Sequence, residues 1–146
     1  MMDSVERAIC RKQGKIFRLA AGTEYDMGSF VSAYLSSGFC KNAFDASYSR
    51  YMAADAEETW ERVFPEIENA LKPRGDDDPL GGDVAYWTGY MYRAVCILSG
   101  ASSEDLMSML PFDEMLRLYP GYHTIDGETA AERIAGSLPL CAREMR

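Results

Sequence analysis

Apolar residues recur with helical spacing over most of the chain, in segments separated by glycine, proline and acidic turns. A first helix is predicted over residues 4–21, from a cap at Ser4 to a stop at Gly22. Its apolar positions approximate one stripe: Val5, Ile9, Ile16, Leu19 and Ala20. The basic residues lie between them: Arg7, Arg11, Lys12, Lys15 and Arg18. This spacing is typical of an amphipathic helix.

A second helix is predicted after a cap at Asp26 or Ser29, and the Ser37-Gly38 pair ends it. Its apolar residues fall on one face: Phe30, Val31, Tyr34 and Leu35. A short helical piece is predicted next, over residues 39–44. The pattern therefore favours several short helices rather than a few long ones.

The middle of the chain combines one longer helix with a charged linker. Residues 45–54 give no pattern that assigns a structure, whereas residues 54–71 predict a helix. Pro65 indicates that this helix either kinks or restarts there. Its buried stripe is predicted to be Trp60, Val63, Phe64, Ile67 and Leu71. Residues 72–82 are turn-forming and charged, so we expect a flexible acidic linker; its three consecutive aspartates, at 76–78, lack the ligand spacing of a calcium loop.

Residues 83–100 form the most distinctive segment, an aromatic helix with a single arginine, predicted to start at Asp83 and end at Gly100. Positions 84, 87, 91, 95 and 98 form an apolar stripe, which predicts a core face. The neighbouring stripe contains Tyr86, Tyr90 and Arg93. A glycine inside a helix costs ~1 kcal/mol relative to alanine. Gly89 therefore indicates the close approach of another helix or backbone.

Three further helices are predicted in the last third of the chain. Ser102 caps the first, Pro111 separates it from a helix over residues 112–119, and the last helix spans residues 128–138. Pro120-Gly121 is expected to be a turn. No strand is predicted. The fold class is therefore all-α: a single domain over residues 1–146, with six to seven short helices around the central aromatic helix.

Composition narrows the function. The chain has 146 residues, 47% of them hydrophobic, and a net charge of −8. This charge argues against nucleic acids and anionic membranes as partners, and suits a soluble protein or one with a basic partner. The four cysteines are widely scattered with no C-x-x-C pair, so we expect free thiols in a reducing cytoplasm, mostly buried. With no apolar segment at its start, the chain is expected to lack a signal peptide and to be cytoplasmic.

Few residues are candidates for chemistry. His123 is the only histidine, and Asp126 three residues later could orient it as a general base, but no local motif places a nucleophile beside it. A lone histidine is also insufficient for a usual zinc site. Tyr86, Tyr90 and Arg93 either hydrogen-bond within the core or reach a partner or ligand. We therefore expect no catalytic residues, no metal and no cofactor, and keep these five residues as candidates for binding.

Two parts of the sequence carry a resemblance. The first is residues 11–20 (RKQGKIFRLA), with Phe30-Val31 and Ser36-Ser37. The second is residues 86–93 (YWTGYMYR), 99–103 (SGASS) and 122–126 (YHTID). In this order they resemble a family of small uncharacterised bacterial proteins from gut anaerobes, over roughly residues 11–135. Genes of such families lie beside ADP-ribosyltransferase-like toxin candidates, so the resemblance implies an antitoxin or accessory role, and it implies no catalytic residues.

Three functional hypotheses follow. The leading one is a non-enzymatic domain that binds a protein partner, antitoxin-like or accessory to a toxin–antitoxin locus, with self-association left open. The second is a ligand-binding protein or enzyme with a pocket around Arg93 and His123. The third is a transcriptional regulator that uses the helix-turn-helix-like segment 102–119, whose excess of acidic residues opposes DNA binding.

Overall fold

A computed structural model describes residues 2–44 and 55–138. Within these residues the chain forms eight α-helices and no strand, which confirms the all-α prediction. The helices are α1 (Ser4–Ala21), α2 (Met27–Leu35), α3 (Gly38–Ala43), α4 (Ala56–Ile67), α5 (Gly82–Ser99), α6 (Ser103–Met109), α7 (Phe112–Tyr122) and α8 (Gly127–Ser137). A 3₁₀ turn, Glu68–Ala70, follows α4. The segment that the sequence left unassigned, 45–54, lies outside the described residues.

Short polar side chains begin most of these helices. Asp3, rather than the predicted Ser4, caps α1: its carboxylate accepts the Glu6 N–H at 2.8 Å, and the Glu6 carboxylate accepts the Asp3 N–H at 2.9 Å. Asp26, one of the two caps predicted for α2, caps that helix, and Ser102 caps α6 as predicted. The predicted cap of α5 at Asp83 is wrong, because α5 already begins at Gly82 and no side chain caps it. Each cap satisfies backbone donors that have no partner inside the helix, so the helix starts are encoded locally.

The predicted turn at Pro120-Gly121 is wrong, because α7 continues through it to Tyr122. The His123 N–H donates to the Tyr119 carbonyl at 2.9 Å, so helical hydrogen bonding persists beyond the proline. A proline removes its own N–H from the ladder, and its ring crowds the carbonyl four residues earlier. Pro120 lies two residues before the end of α7, so this disturbance is confined to the last turns of the helix. In the same way, α4 runs through Pro65 to Ile67.

The centre of the fold is the packing of α1 along α5, with α6, α7 and α8 also in contact with α5. Two glycines allow the close approach. A Cβ atom added at Gly89 would lie 2.6 Å from the Gln13 carbonyl oxygen, and one added at Gly14 would lie 2.9 Å from the Tyr86 carbonyl oxygen. The close approach that Gly89 predicted is therefore confirmed, and the neighbour is α1.

Phe17 sits beside this crossing in an aromatic cluster. Its ring meets those of Phe30 and Tyr34 edge-on, at centroid distances of 5.3 and 5.5 Å, and lies 6.3 Å from the ring of Tyr92. All four side chains are buried. Such edge-to-face pairs add to the burial of apolar area, so this cluster connects α1, α2 and α5 into one core.

The buried faces of α1 and α5 differ from the predicted stripes. Val5 is 50% exposed, although it was placed on the apolar face of α1. The α1 residues buried instead include Cys10, Gln13, Gly14 and Phe17. On α5, the predicted core positions Val84, Trp87 and Leu98 are only half-buried, whereas its buried set runs through Ala85, Thr88, Gly89 and all of residues 91–96. Helices cover α5 on several sides, so its own apolar period does not reveal its most buried face.

The start of the predicted linker is held in place. The Asp26 N–H donates to the Lys72 carbonyl, and the Arg74 N–H donates to the Glu24 carbonyl, both at 2.7 Å. Tyr25 and Pro73 form an isolated antiparallel bridge between these hydrogen bonds. Residues 72–74 are therefore attached to the loop between α1 and α2.

Three of the four cysteines, Cys10, Cys40 and Cys96, are buried free thiols, as predicted, and Cys141 lies outside the described residues. Within residues 2–44 and 55–138, no three histidine, cysteine or acidic side chains are grouped so that they could hold a metal ion. None of the described helices is both long enough and apolar enough to cross a membrane.

Candidate functional site

Arg93 lies inside the protein and is 2% exposed. Its Nε and Nη2 atoms donate to the Gln13 Oε1 atom at 3.0 and 2.9 Å, and Nη2 also donates to the Ser103 hydroxyl at 2.8 Å. The guanidinium carbon lies 4.9 Å from the centroid of the Phe44 ring. A buried guanidinium remains charged, so it must be surrounded by acceptors and polarisable groups, as it is here.

Gln13 is the centre of this polar network, and no sequence pattern pointed to it. The residue is fully buried, and its Nε2 atom donates to the Gly89 carbonyl at 2.9 Å. Besides Arg93, the Tyr34 hydroxyl donates to its Oε1 atom at 3.2 Å. One amide therefore connects α1, α2 and α5. The one signal that could have identified Gln13 is its helical spacing, three residues after Cys10 and four before Phe17, which share its buried face with Gly14.

Tyr86 and Tyr90 lie at the surface instead, each half-buried, Tyr86 beside Gly14 of α1 and Tyr90 beside Gly127 of α8. Their ring centroids are 6.4 Å apart, and the guanidinium carbon of Arg18 lies over the Tyr86 ring at 4.7 Å from its centroid. Burial raises the pKa of both phenols, so both hydroxyls stay protonated at neutral pH and can donate a hydrogen bond. The structure therefore separates the interior Arg93 from the two tyrosines that share its stripe.

His123 and Asp126 do not form the oriented pair that their spacing suggested. The His123 Nδ1 atom lies 2.7 Å from the Tyr119 carbonyl oxygen, which can only accept, so Nδ1 carries the proton. Its exposed ring stacks on the Tyr119 ring at 4.3 Å. The Asp126 carboxylate caps α8 by accepting the Thr129 N–H at 3.1 Å. Each side chain therefore stabilises its own helix end.

The described surface includes a groove along α2 and another between α1 and α4. The first, of about 480 Å³, lies along α2 and contains Ser29, Ser32 and Ser36, whose hydroxyls bond to neighbouring backbone or to Met107. The second, of about 490 Å³, lies between α1 and the start of α4. Neither groove is lined by Arg93 or His123. These two grooves therefore give no support to a ligand pocket around that pair.

Comparison with known proteins adds no relative. No family model matches the chain, and no curated protein or solved structure matches it at a significant level.

Proposed function

We propose that this protein is a non-enzymatic interaction domain that binds a protein partner through Tyr86 and Tyr90. The observation that carries the proposal is the pair itself: two half-exposed tyrosines, one turn apart on the central helix, with rings 6.4 Å apart. Tyrosine is favoured at the energetic centres of interfaces, because it presents a large rigid surface and one polar tip.

The position of the pair favours binding. Gly14 lies against the ring and the carbonyl of Tyr86, and Gly127 lies against the ring of Tyr90. Arg18 covers part of the Tyr86 ring. Because these contacts already restrict both side chains, ordering them on binding costs less entropy than it would for two free tyrosines.

Other features favour binding over catalysis. Burial raises the pKa of the Cys10 thiol to about 12, so this cysteine is a neutral thiol at physiological pH and a poor nucleophile. His123 is aligned by a backbone carbonyl at a helix end rather than by a carboxylate. Arg93 is engaged with Gln13 and Ser103 in the interior, which favours the structural interpretation of that residue.

The resemblance extends the proposal to a partner: a toxin-like protein encoded next to this one, which this domain would neutralise or assist. Co-expression with the products of the adjacent reading frames tests it. We expect one product to co-purify in a stoichiometric complex, and its effect on host growth to be relieved.

The variant Tyr86→Ala/Tyr90→Ala should weaken that complex at least about thirtyfold, since removing an interface anchor costs about 2 kcal/mol or more. Tyr25→Ala is the matched control, because Tyr25 is also half-buried but packs on Phe64 of α4. If no adjacent product binds, or if the complex survives the double variant with unchanged affinity, the proposal is wrong.

A further inference from the structure

We propose that the segment recognised at this surface is acidic and lies along the basic row of α1, defined as Arg11, Lys15 and Arg18. The inference rests on the proposed function, because it specifies the chemistry of the partner that Tyr86 and Tyr90 would hold. The net charge of −8 favours a basic partner, whereas the basic row of α1 predicts an acidic one.

The basic row is regular and exposed. Its members are spaced at i, i+4 and i+7 on α1, and all three side chains are exposed. At ~1.5 Å of rise per residue, the row spans roughly 10 Å along the helix axis. Two turns of a partner helix, or three residues of an extended segment, would match this length.

Among the described residues, no member of the basic row forms a salt bridge. The salt bridge between Arg7 and Glu128, at 3.3 Å, involves no member of the row. Like charges four residues apart destabilise a helix by about 0.2–0.5 kcal/mol per pair. Acidic side chains placed as salt-bridge partners of the row would have offset that cost. A row of like charges without salt-bridge partners is therefore better explained by a ligand than by the stability of α1.

Concave and aromatic surfaces border the row. On one side, Arg18 lies over the Tyr86 ring at 4.7 Å. On the other side is the groove of about 490 Å³, whose lining includes all three members of the row and Lys12. Burial lowers the pKa of Lys12, against the opposing effect of Asp55 and Glu58. A carboxylate entering the groove would meet several cations at once, and the tyrosine pair would pack against the same segment.

The surroundings favour an acidic protein segment over a long polyanion. Asp55 and Glu57 form part of the groove lining, and the exposed Asp83 lies in the first turn of α5 near Arg18, whose side chain lies beside Gly82. These carboxylates and the net charge of −8 would repel a nucleic acid, which carries charge along its whole length. A short acidic segment can place its charges on the row alone and its apolar atoms on Tyr86 and Tyr90.

The test measures binding of a fluorescein-labelled oligoglutamate peptide to the full chain by fluorescence anisotropy. We expect binding that weakens as salt is raised, and Arg11→Glu/Arg18→Glu should weaken it at least about tenfold. The matched control is Arg117→Glu/Arg133→Glu, which changes the net charge equally at exposed positions of α7 and α8. The control should bind within about twofold of the unaltered protein.

Three results would overturn the inference: equal weakening in both charge variants, no binding of the peptide at low salt, or tighter binding of single-stranded DNA or anionic vesicles than of the peptide. Circular dichroism confirms that each variant is folded. The co-purification assay separates this inference from the proposed function. If Tyr86→Ala/Tyr90→Ala loses the partner but Arg11→Glu/Arg18→Glu retains it, the acidic segment is refuted and the proposed function is still supported. A partner retained in both refutes both.

Discussion

The crossing of α1 and α5 makes a sharp prediction for Gly89→Ala. The added methyl group would lie 2.6 Å from the Gln13 carbonyl oxygen, and 2.7 and 2.9 Å from the Cγ and Cβ atoms of Phe17. These neighbours are backbone and the root of a buried side chain, so none of them can move without shifting α1. The same shift would disturb the hydrogen bond from Gln13 to the Gly89 carbonyl.

Two effects of opposite sign decide how much Gly89→Ala changes the free energy of unfolding. Alanine is the better helix former, which stabilises the variant by ~1 kcal/mol. Overpacking a core costs ~1–3 kcal/mol, and contact with backbone places this site at the upper end. The net effect is a loss of ~2 kcal/mol or more, because the steric penalty exceeds the gain in helix propensity.

Urea unfolding followed by far-UV circular dichroism measures this difference. Gly136→Ala is the matched control, since Gly136 is also inside a helix but an added Cβ would have no atom within 4 Å. It should stabilise the protein, by up to ~1 kcal/mol. Gly14→Ala should be destabilising as well, because its Cβ would lie 2.9 Å from the Tyr86 carbonyl oxygen.

The result that would refute this reasoning is a Gly89→Ala variant as stable as the unaltered protein, or more stable. That outcome would mean that α1 and α5 are not held at this distance. Failure of Gly89→Ala to fold, while Gly136→Ala folds normally, would agree with the prediction.

Three other predictions concern the buried polar groups. Gln13→Leu should lower the free energy of unfolding by ~3 kcal/mol in urea titrations, because Arg93 loses its shared acceptor; an unchanged midpoint would contradict the network. Tyr92→Phe should cost ~1 kcal/mol in the same assay, because its hydroxyl donates to the buried Leu110 carbonyl at 2.7 Å; no loss would show that this bond contributes nothing. Burial raises the pKa of the Cys10 thiol from 9.0 to about 12. The contribution of the neutral thiol to the free energy of unfolding is therefore fully present below pH 9.0 and is lost as the pH rises toward 12. Urea titrations across this pH range should show that the free energy of unfolding falls less steeply with pH in Cys10→Ala than in the unaltered protein. Equal slopes would refute the raised pKa of Cys10.

The sequence predicted the elements well where the signals were local. Asp26 and Ser102 cap helices where their side chains suggested, and Gly100 ends α5 with a φ of 80°, a conformation suited to glycine. The boundary at Pro120 was missed, because a proline signals a break without showing how near the helix end it lies. Gly89 was identified as a contact point, but its partner was not, since no local pattern connects it to Gln13.

The candidate site was predictable only in part. Tyr86, Tyr90, Arg93 and His123 were all identified on the chain, because Arg93 is the single arginine of the aromatic helix, His123 is the only histidine, and tyrosine and arginine often contribute to binding. Their separation in space was not predicted. Arg93 is directed into the interior, Tyr86 and Tyr90 remain at the surface, and His123 stacks on Tyr119. The stripe that united Tyr86, Tyr90 and Arg93 describes one helix, whereas burial depends on the helices packed around it.

What the sequence alone determined was the all-α class, most helix limits and the aromatic character of α5, because caps, glycines and apolar spacing act within a few residues. The tertiary structure decided which face of each helix is buried, since that depends on contacts between positions far apart in the chain. Gln13 shows the difference most clearly. It is an ordinary polar residue in the sequence, and it becomes the acceptor of the buried guanidinium only because Gly14 and Gly89 bring α1 and α5 together.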